Sequence, residues 1–323
     1  MLHLSDGQTI TPRHWRDAEP IPEQAVWIDM NHPSRAQEVA VESFIGIEIP
    51  TREEMHAIEV SERLYQEGDA YFMTATLVTK MDTAEPETHA VTFIVTSKRL
   101  ITLRYSDPLP FRVFAEHMKR IPASDHNGPA LLLILLDSIT NRVADVLERI
   151  GQDMDAITRN IFRPAALDMQ KAQSVNHQKV LVAIGRSGDS VSKVRESLMT
   201  LNRLVAFAMQ CGHITVGENR ERLLAQSRDI AGLNDQSNYL GNKVTFLLDA
   251  VLGLISIEQN AIIKIFSVAA TVFLPPTLIA SIYGMNFEHM PELKWHLGYP
   301  MAVGFMILSA VLPYLYFKRK KWL

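Results

Sequence analysis

The sequence predicts an α+β chain: an N-terminal α/β domain, then a long helical stalk that continues into the first of two C-terminal transmembrane helices. Three observations carry this. Ile265 to Phe287 is 23 residues without a charge, and Leu297 to Phe317 is 21. A bilayer core of about 30 Å needs about 20 helical residues, so both runs are long enough. No proline occurs between Gly217 and Pro275, so one helix can run into the first span. The first 125 residues instead mix alternating β-branched runs with short helix-like ones.

Taken in order, Val26-Trp27-Ile28-Asp29 reads as a short strand. Thr51-Arg52-Glu53-Glu54 reads as a helix start, with a capping threonine and a carboxylate at the third helical position. Ala70–Lys80, Ala90–Thr96 and Leu100–Tyr105 alternate and are rich in Thr, Val, Ile and aromatics. They read as neighbouring strands, the last two joined by a turn near Ser97-Lys98-Arg99. From Ala130 the period becomes helical, through Leu131, Leu135, Ile139, Val143, Val146 and Ile150. The apolar run Ala130–Leu136 is too short to span a membrane and reads as buried helix. Arg163-Pro164 is expected to end that element, with a second helical block over 166–211 and a break near Gly212–Gly217. Glu218 to Tyr283 then makes one helix on the order of 100 Å long. The expected domains are 1–125 (α/β), 126–217 (helical), 218–264 (stalk) and 265–323 (two spans and a basic tail).

The net charge of -4 hides an asymmetry. Residues 261–323 hold six of the 32 basic side chains and two of the 36 acidic ones, so the remainder carries a net -8. An acidic body disfavours nucleic acid as a partner, because phosphate contacts need a positive field. One cysteine, Cys211, excludes an internal disulfide. The first twenty residues have no apolar run of the kind a cleavable secretory signal needs.

Lys318-Arg319-Lys320-Lys321 follows the second span directly, and basic flanks stay cytoplasmic. Two spans return the chain to the same side, so both termini and the large body are expected in the cytoplasm of an inner or plasma membrane. The 285–297 link then faces outward, with Glu288 and Glu292 outnumbering Lys294. Trp295 and Tyr299 sit at the outer edge, and Tyr314, Tyr316 and Trp322 at the inner edge.

A polar stripe runs along the stalk. Asp235, Asn242, Asp249 and Ser256 are seven apart, and Asn260 follows four later. Seven-residue spacing keeps one face towards like helices. The opposite face is apolar, with Leu240, Val244, Leu247, Val251 and Leu254. A polar face that enters a span at Asn260 reads as the lining of a water-filled axis shared by several subunits. Asp249 would form a carboxylate ring about 16 Å below Asn260, at the inner mouth. The same face continues through Ile263, Phe266 or Ser267, Ala270, Leu274, Thr277 and Ser281. Apolar collars of this kind can gate by dewetting. A dry bundle axis fits the same spacing. Pro275-Pro276 removes two amide donors in mid-span, and Lys264 lies at the inner boundary, where it can snorkel.

The first span ends in Tyr283-Gly284-Met285-Asn286-Phe287, where Gly284 suits a helix terminator because it can take a positive φ. The negative end of the helix dipole and the Asn286 amide oxygens offer acceptors without formal charge. Mg²⁺ sheds its waters reluctantly, and such acceptors can hold the hydrated ion by its water hydrogens.

Tyr-Gly-Met-Asn-Phe at the end of the first of two C-terminal spans, followed by Met290-Pro291-Glu292-Leu293, a second span and a basic tail, resembles the CorA family of magnesium transporters. Asn260-x-x-x-Lys264 and Pro276-Thr277 are also similar to that family, and the specific match covers about residues 245–323. The resemblance implies a homopentameric funnel that passes Mg²⁺, with Co²⁺ and Ni²⁺ as secondary ions. It implies a filter of Gly284, Met285 and Asn286, with Asn260, Leu274 and Thr277 lining the pore. It further implies that cytoplasmic Mg²⁺ bound between subunits favours closure. A zinc-transporting branch is similar but tends to carry valine in place of Met285. A zinc transporter, or a membrane-anchored sensor whose spans pass no ions, is the alternative.

Other signals are set aside. Gly185-Arg-Ser-Gly188 lacks the lysine and preceding strand of a phosphate loop, and reads as a helix interruption or surface turn. Cys211-x-His213 is one short pair with no second half. No catalytic constellation is legible, so the chain is not expected to be an enzyme.

Overall fold

The computed structural model describes residues 1–16, 19–81, 83, 86–167, 176–285, 290, 291, 295–320 and 322. The chain divides into two compact units, Met1–Leu248 and Asp249–Leu323.

The first unit is built on a seven-stranded sheet of β1 (Leu2–Ser5), β2 (Ile10–Arg13), β3 (Ala25–Asn31), β4 (Leu64–Glu67), β5 (Ala70–Thr79), β6 (Glu87–Val95) and β7 (Leu100–Arg104). The order is β2-β1-β3-β7-β6-β5-β4, and only the β3–β7 pair is parallel. Strand alternation sorts the two faces. Ile28, Met30, Phe72, Ile94, Ile101 and Leu103 share one core layer with Val41 of α1 (Arg35–Ile45). On the opposite face, Trp27 meets Phe114 of α4 (Leu109–His117) edge-on, with centroids 4.8 Å apart. Two long helices, α5 (Gly128–Leu167) and α6 (His177–Ala208), also pack against the strands. Thr200 of α6 accepts a hydrogen bond from the backbone amide of Thr76 at 2.9 Å.

Helix starts follow their caps. Ser34 accepts from the Gln37 amide at the start of α1, which ends at Gly46 with φ +75°. Thr51 accepts from the Glu54 amide, and Glu54 returns the bond to Thr51, in the short helix α2 (Arg52–Met55). A second short helix, α3 (Val60–Arg63), leads into β4.

A buried ion pair crosslinks the parallel strands. Arg104 Nε donates to Asp29 Oδ1 at 2.9 Å and Nη2 donates to Oδ2 at 2.8 Å. The Thr102 hydroxyl also donates to Asp29, at 2.9 Å, and accepts from the Trp27 indole at 3.0 Å. Beside it, His3 stacks on Trp27 at 4.2 Å and is 2% exposed. Burial pushes the His3 pKa down to about 4 from 6.5. The unfolded chain therefore binds this proton first as pH falls. The stability contributed by neutral His3 is full above about pH 6.5, declines towards pH 4 and is then flat, a loss of about 3 kcal/mol at most. His3→Phe keeps the stack and is expected to flatten the melting profile between pH 6.5 and 4. An unchanged slope in thermal melts would count against this.

Gly128 opens α5 against the β6–β7 turn. A Cβ there would lie 2.2 Å from the Arg99 carbonyl oxygen and 2.3 Å from that of Thr96. Both are backbone atoms and cannot swing aside. Gly128→Ala is expected to cost about 1–3 kcal/mol, read as a lowered melting temperature.

Two sequence expectations are corrected. Helix α5 does not stop at Arg163-Pro164 but runs to Leu167. Pro164 falls in the last turn, where its missing amide costs little of the helix that precedes it. Gly185 and Gly188 do not interrupt a helix; both lie inside α6. A Cβ on Gly188 would sit 3.3 Å from Val244 Cγ1, so the small residue serves close helix packing.

The helix α7 (Asn219–Tyr283) runs unbroken for 65 residues, including Pro275 and Pro276. The second unit comprises its portion from Asp249 and the helix α8 (Gly298–Arg319).

Candidate functional site

Helix α7 separates its faces by burial. In the first unit, Leu240 and Leu247 are buried, whereas Asp235 and Asn242 are exposed. In the second unit, Val251 is buried and Leu254 half-buried, whereas Asp249, Ser256 and Asn260 are exposed. The polar stripe therefore lies on a face that this chain does not cover itself.

Further along α7 the exposed side chains become apolar. Ile263, Phe266 and Leu274 are 60%, 70% and 69% exposed, and Thr277 and Ser281 are exposed as well. Exposure is not confined to that face, since Ile265, Phe273 and Leu278 are equally open. Helix α8 is similar, with Phe305, Ile307, Leu308, Leu312 and Leu315 exposed. Each large apolar side chain left in water forgoes about 1.5–3 kcal/mol. Helices apolar all round are stable only when lipid or other helices cover them. Both are long and apolar enough to cross a membrane.

Two threonine hydroxyls inside this segment are committed to the helix. Thr271 donates to the Ser267 carbonyl at 2.8 Å. Thr277 donates to those of Phe273 and Leu274, at 2.6 and 2.9 Å. A hydroxyl whose proton is given to its own helix presents only lone pairs outward, which suits the water hydrogens around a cation.

The helix end differs in detail from the expected glycine cap. Gly284 does not take a positive φ. Its amide donates to the Ala280 carbonyl at 2.9 Å, and the Met285 amide donates to Ile282 at 3.3 Å, so the last turn tightens. A Cβ on Gly284 would lie 3.0 Å from the Ala280 oxygen, so close backbone approach is the constraint there. Met285 is exposed. Asn286, Glu288 and Glu292 lie outside the described residues.

At the other end, Trp322 stays against the last turns of α8. The Trp322 amide donates to the Phe317 carbonyl at 3.1 Å, and its ring stacks on Phe317 at 5.4 Å. Lys264 Nζ stands 6.0 Å from the centroid of the same indole. No spacing rule links positions 264 and 322, so this contact was not legible in the sequence. Among the described residues, no three His, Cys, Asp or Glu side chains are grouped so as to hold a metal ion.

Fold and site together define a class: a two-span membrane protein in which one helix serves both a mixed α/β domain and the first span. The chain belongs to the family of the CorA-like Mg²⁺ transporter protein, whose profile matches residues 22–319. It is 39% identical over 303 residues to the magnesium transport protein CorA of Escherichia coli K12, covering 93% of this chain and 92% of that one. The complete structure of the CorA magnesium transporter from Methanocaldococcus jannaschii superposes with a TM-score of 0.74 at 20% identity, covering 95% of each chain. The cytoplasmic domain of ZntB from Vibrio parahaemolyticus shares the fold at a TM-score of 0.53 and 12% identity, over 79% of this chain and 98% of that one.

Proposed function

We propose that this chain transports Mg²⁺ across the inner or plasma membrane through a homopentameric pore, with Co²⁺ and Ni²⁺ as secondary cargo. The observation that carries the reading is the 39% identity to a magnesium transport protein across 93% of the chain. The exposed polar face of α7 supports it. Five copies would turn that face towards a common axis. Asp249 and Asn260 would then stand at the inner mouth, Ile263, Phe266, Leu274, Thr277 and Ser281 along the span, and Gly284, Met285 and Asn286 at the outer filter. Apolar Ile263, Phe266 and Leu274 would close the path by dewetting, and hydrated Mg²⁺ would meet neutral oxygens at the rim. Glu288 and Glu292 would draw cations to the outer loop. Both termini would be cytoplasmic, and cytoplasmic Mg²⁺ would favour closure. The segments 1–125, 126–217, 218–264 and 265–323 would serve as sensing domain, helical brace, stalk and pore.

Purified full-length protein in proteoliposomes tests this directly. Mg²⁺ influx that exceeds Zn²⁺ influx is expected. Preferred Zn²⁺ flux would favour the zinc branch, and no flux of any divalent ion would leave a membrane tether.

A further inference from the structure

Lys264 on α7 and the basic end of α8 meet at one level of the second unit, although 54 or more residues separate them in sequence. Lys318, Arg319 and Lys320 are all exposed, as is Lys264. Their surroundings are aromatic: Lys264 faces the Trp322 ring, and Lys320 Nζ is 5.9 Å from the Tyr316 centroid. Tyr316, Phe317 and Trp322 form a continuous run of ring contacts between them. Residues 259–287 and 295–323 contain no Asp or Glu, and the nearest acidic side chain before Lys264 on α7 is Glu258, six residues away.

We propose that this patch binds the headgroups of anionic phospholipids in the cytoplasmic leaflet. The shared chemistry is a phosphate anion, and the neighbouring surface selects the lipid as its source. Trp and Tyr rings rest at the headgroup level, and the exposed apolar side chains Leu315 and Leu312 lie one and two turns into α8 from its basic end, where acyl chains would follow. A free phosphate would use the cations and leave that apolar rim uncovered. Tail charge alone would fix orientation, but it gives no reason for Trp322 to stack on Phe317 with Lys264 beside the indole. The proposal rests on the span orientation given above.

The test is native mass spectrometry of delipidated full-length protein offered phosphatidylglycerol or phosphatidylcholine with identical acyl chains. One basic side chain near an anionic surface is worth about a fivefold gain in affinity. Phosphatidylglycerol should be retained at least about tenfold better. Lys264→Gln combined with Lys320→Gln should remove most of that preference, whereas the two Lys→Arg changes should keep it. Equal retention of both lipids by the wild type, or an undiminished preference in the Gln variant, would overturn the proposal. Persistence of the preference in excess inorganic phosphate supports the lipid as source, and its loss there overturns that assignment. Orientation is read separately with a C-terminal epitope in sealed right-side-out vesicles. Detection only after permeabilisation supports a cytoplasmic tail, and detection from outside overturns the leaflet. None of these readouts depends on ion flux, so a failure of the transport reading is told apart from a failure of this one.

Discussion

Asn286→Ala is expected to abolish Mg²⁺ uptake, by at least about a hundredfold, in a chain that still assembles. The physical reason is the hydration shell. An ion that keeps its waters is held through them, and the proposed ring of amide oxygens would supply acceptors without the grip of a carboxylate. A hundredfold change corresponds to about 2.8 kcal/mol. In the proposed pentamer, one hydrogen bond of about 1 kcal/mol lost from each of five subunits would exceed that. The measurement is Mg²⁺ entry into proteoliposomes beside size-exclusion chromatography of the same sample. Normal uptake by the variant would sink the filter assignment. Loss of assembly together with uptake would assign Asn286 a packing role instead.

Asp29→Ala should give the largest loss of stability. The Asp29 and Arg104 side chains are 9% and 6% exposed, and both Asp29 oxygens are bonded by the guanidinium. Removal of the carboxylate leaves a buried cation paired only with the exposed Asp107, and a Thr102 hydroxyl that keeps its Trp27 bond but loses its acceptor. Breaking such a pair costs about 3–5 kcal/mol, and a unit of this size loses roughly 2–4 °C per kcal/mol. A fall of roughly 6–20 °C in the thermal melt of the full-length chain is expected. Asp29→Leu with Arg104→Met, which removes both charges, should recover most of it. A melting temperature within about 2 °C of wild type for Asp29→Ala would show that the pair contributes little.

Much of this molecule was legible in one dimension, for particular reasons. Charge-free length reveals a span directly, so 265–287 and 297–317 stood out. The absence of proline from 218 to 274 announced α7, and the Thr51–Glu54 cap appears in the structure as read. Strands β5, β6 and β7 alternate strongly enough to be recognised. Strands β1, β2 and β4 are four residues each, too short for a period-two pattern to emerge from His3, Pro12 or Gln66. Pro164 misled because a proline's effect depends on its distance from the helix end. Gly185 and Gly188 misled because a glycine that opens a turn and one that admits a neighbouring helix look alike in sequence. For the site, the stripe of α7 was legible as a spacing, and its exposure agrees with an uncovered face. The approach of Lys264 to Trp322 was not, since it joins two segments far apart in sequence.

Cys211 is 3% exposed and its thiol donates to the Phe207 carbonyl at 3.3 Å. Burial pushes its pKa up to about 12, and the thiolate is the form that alkylating reagents attack. At neutral pH a maleimide is therefore expected to modify the folded wild type only slowly. A cysteine introduced at Ser281 or Lys318 should then carry nearly all of a spin or fluorescent label and report from that position.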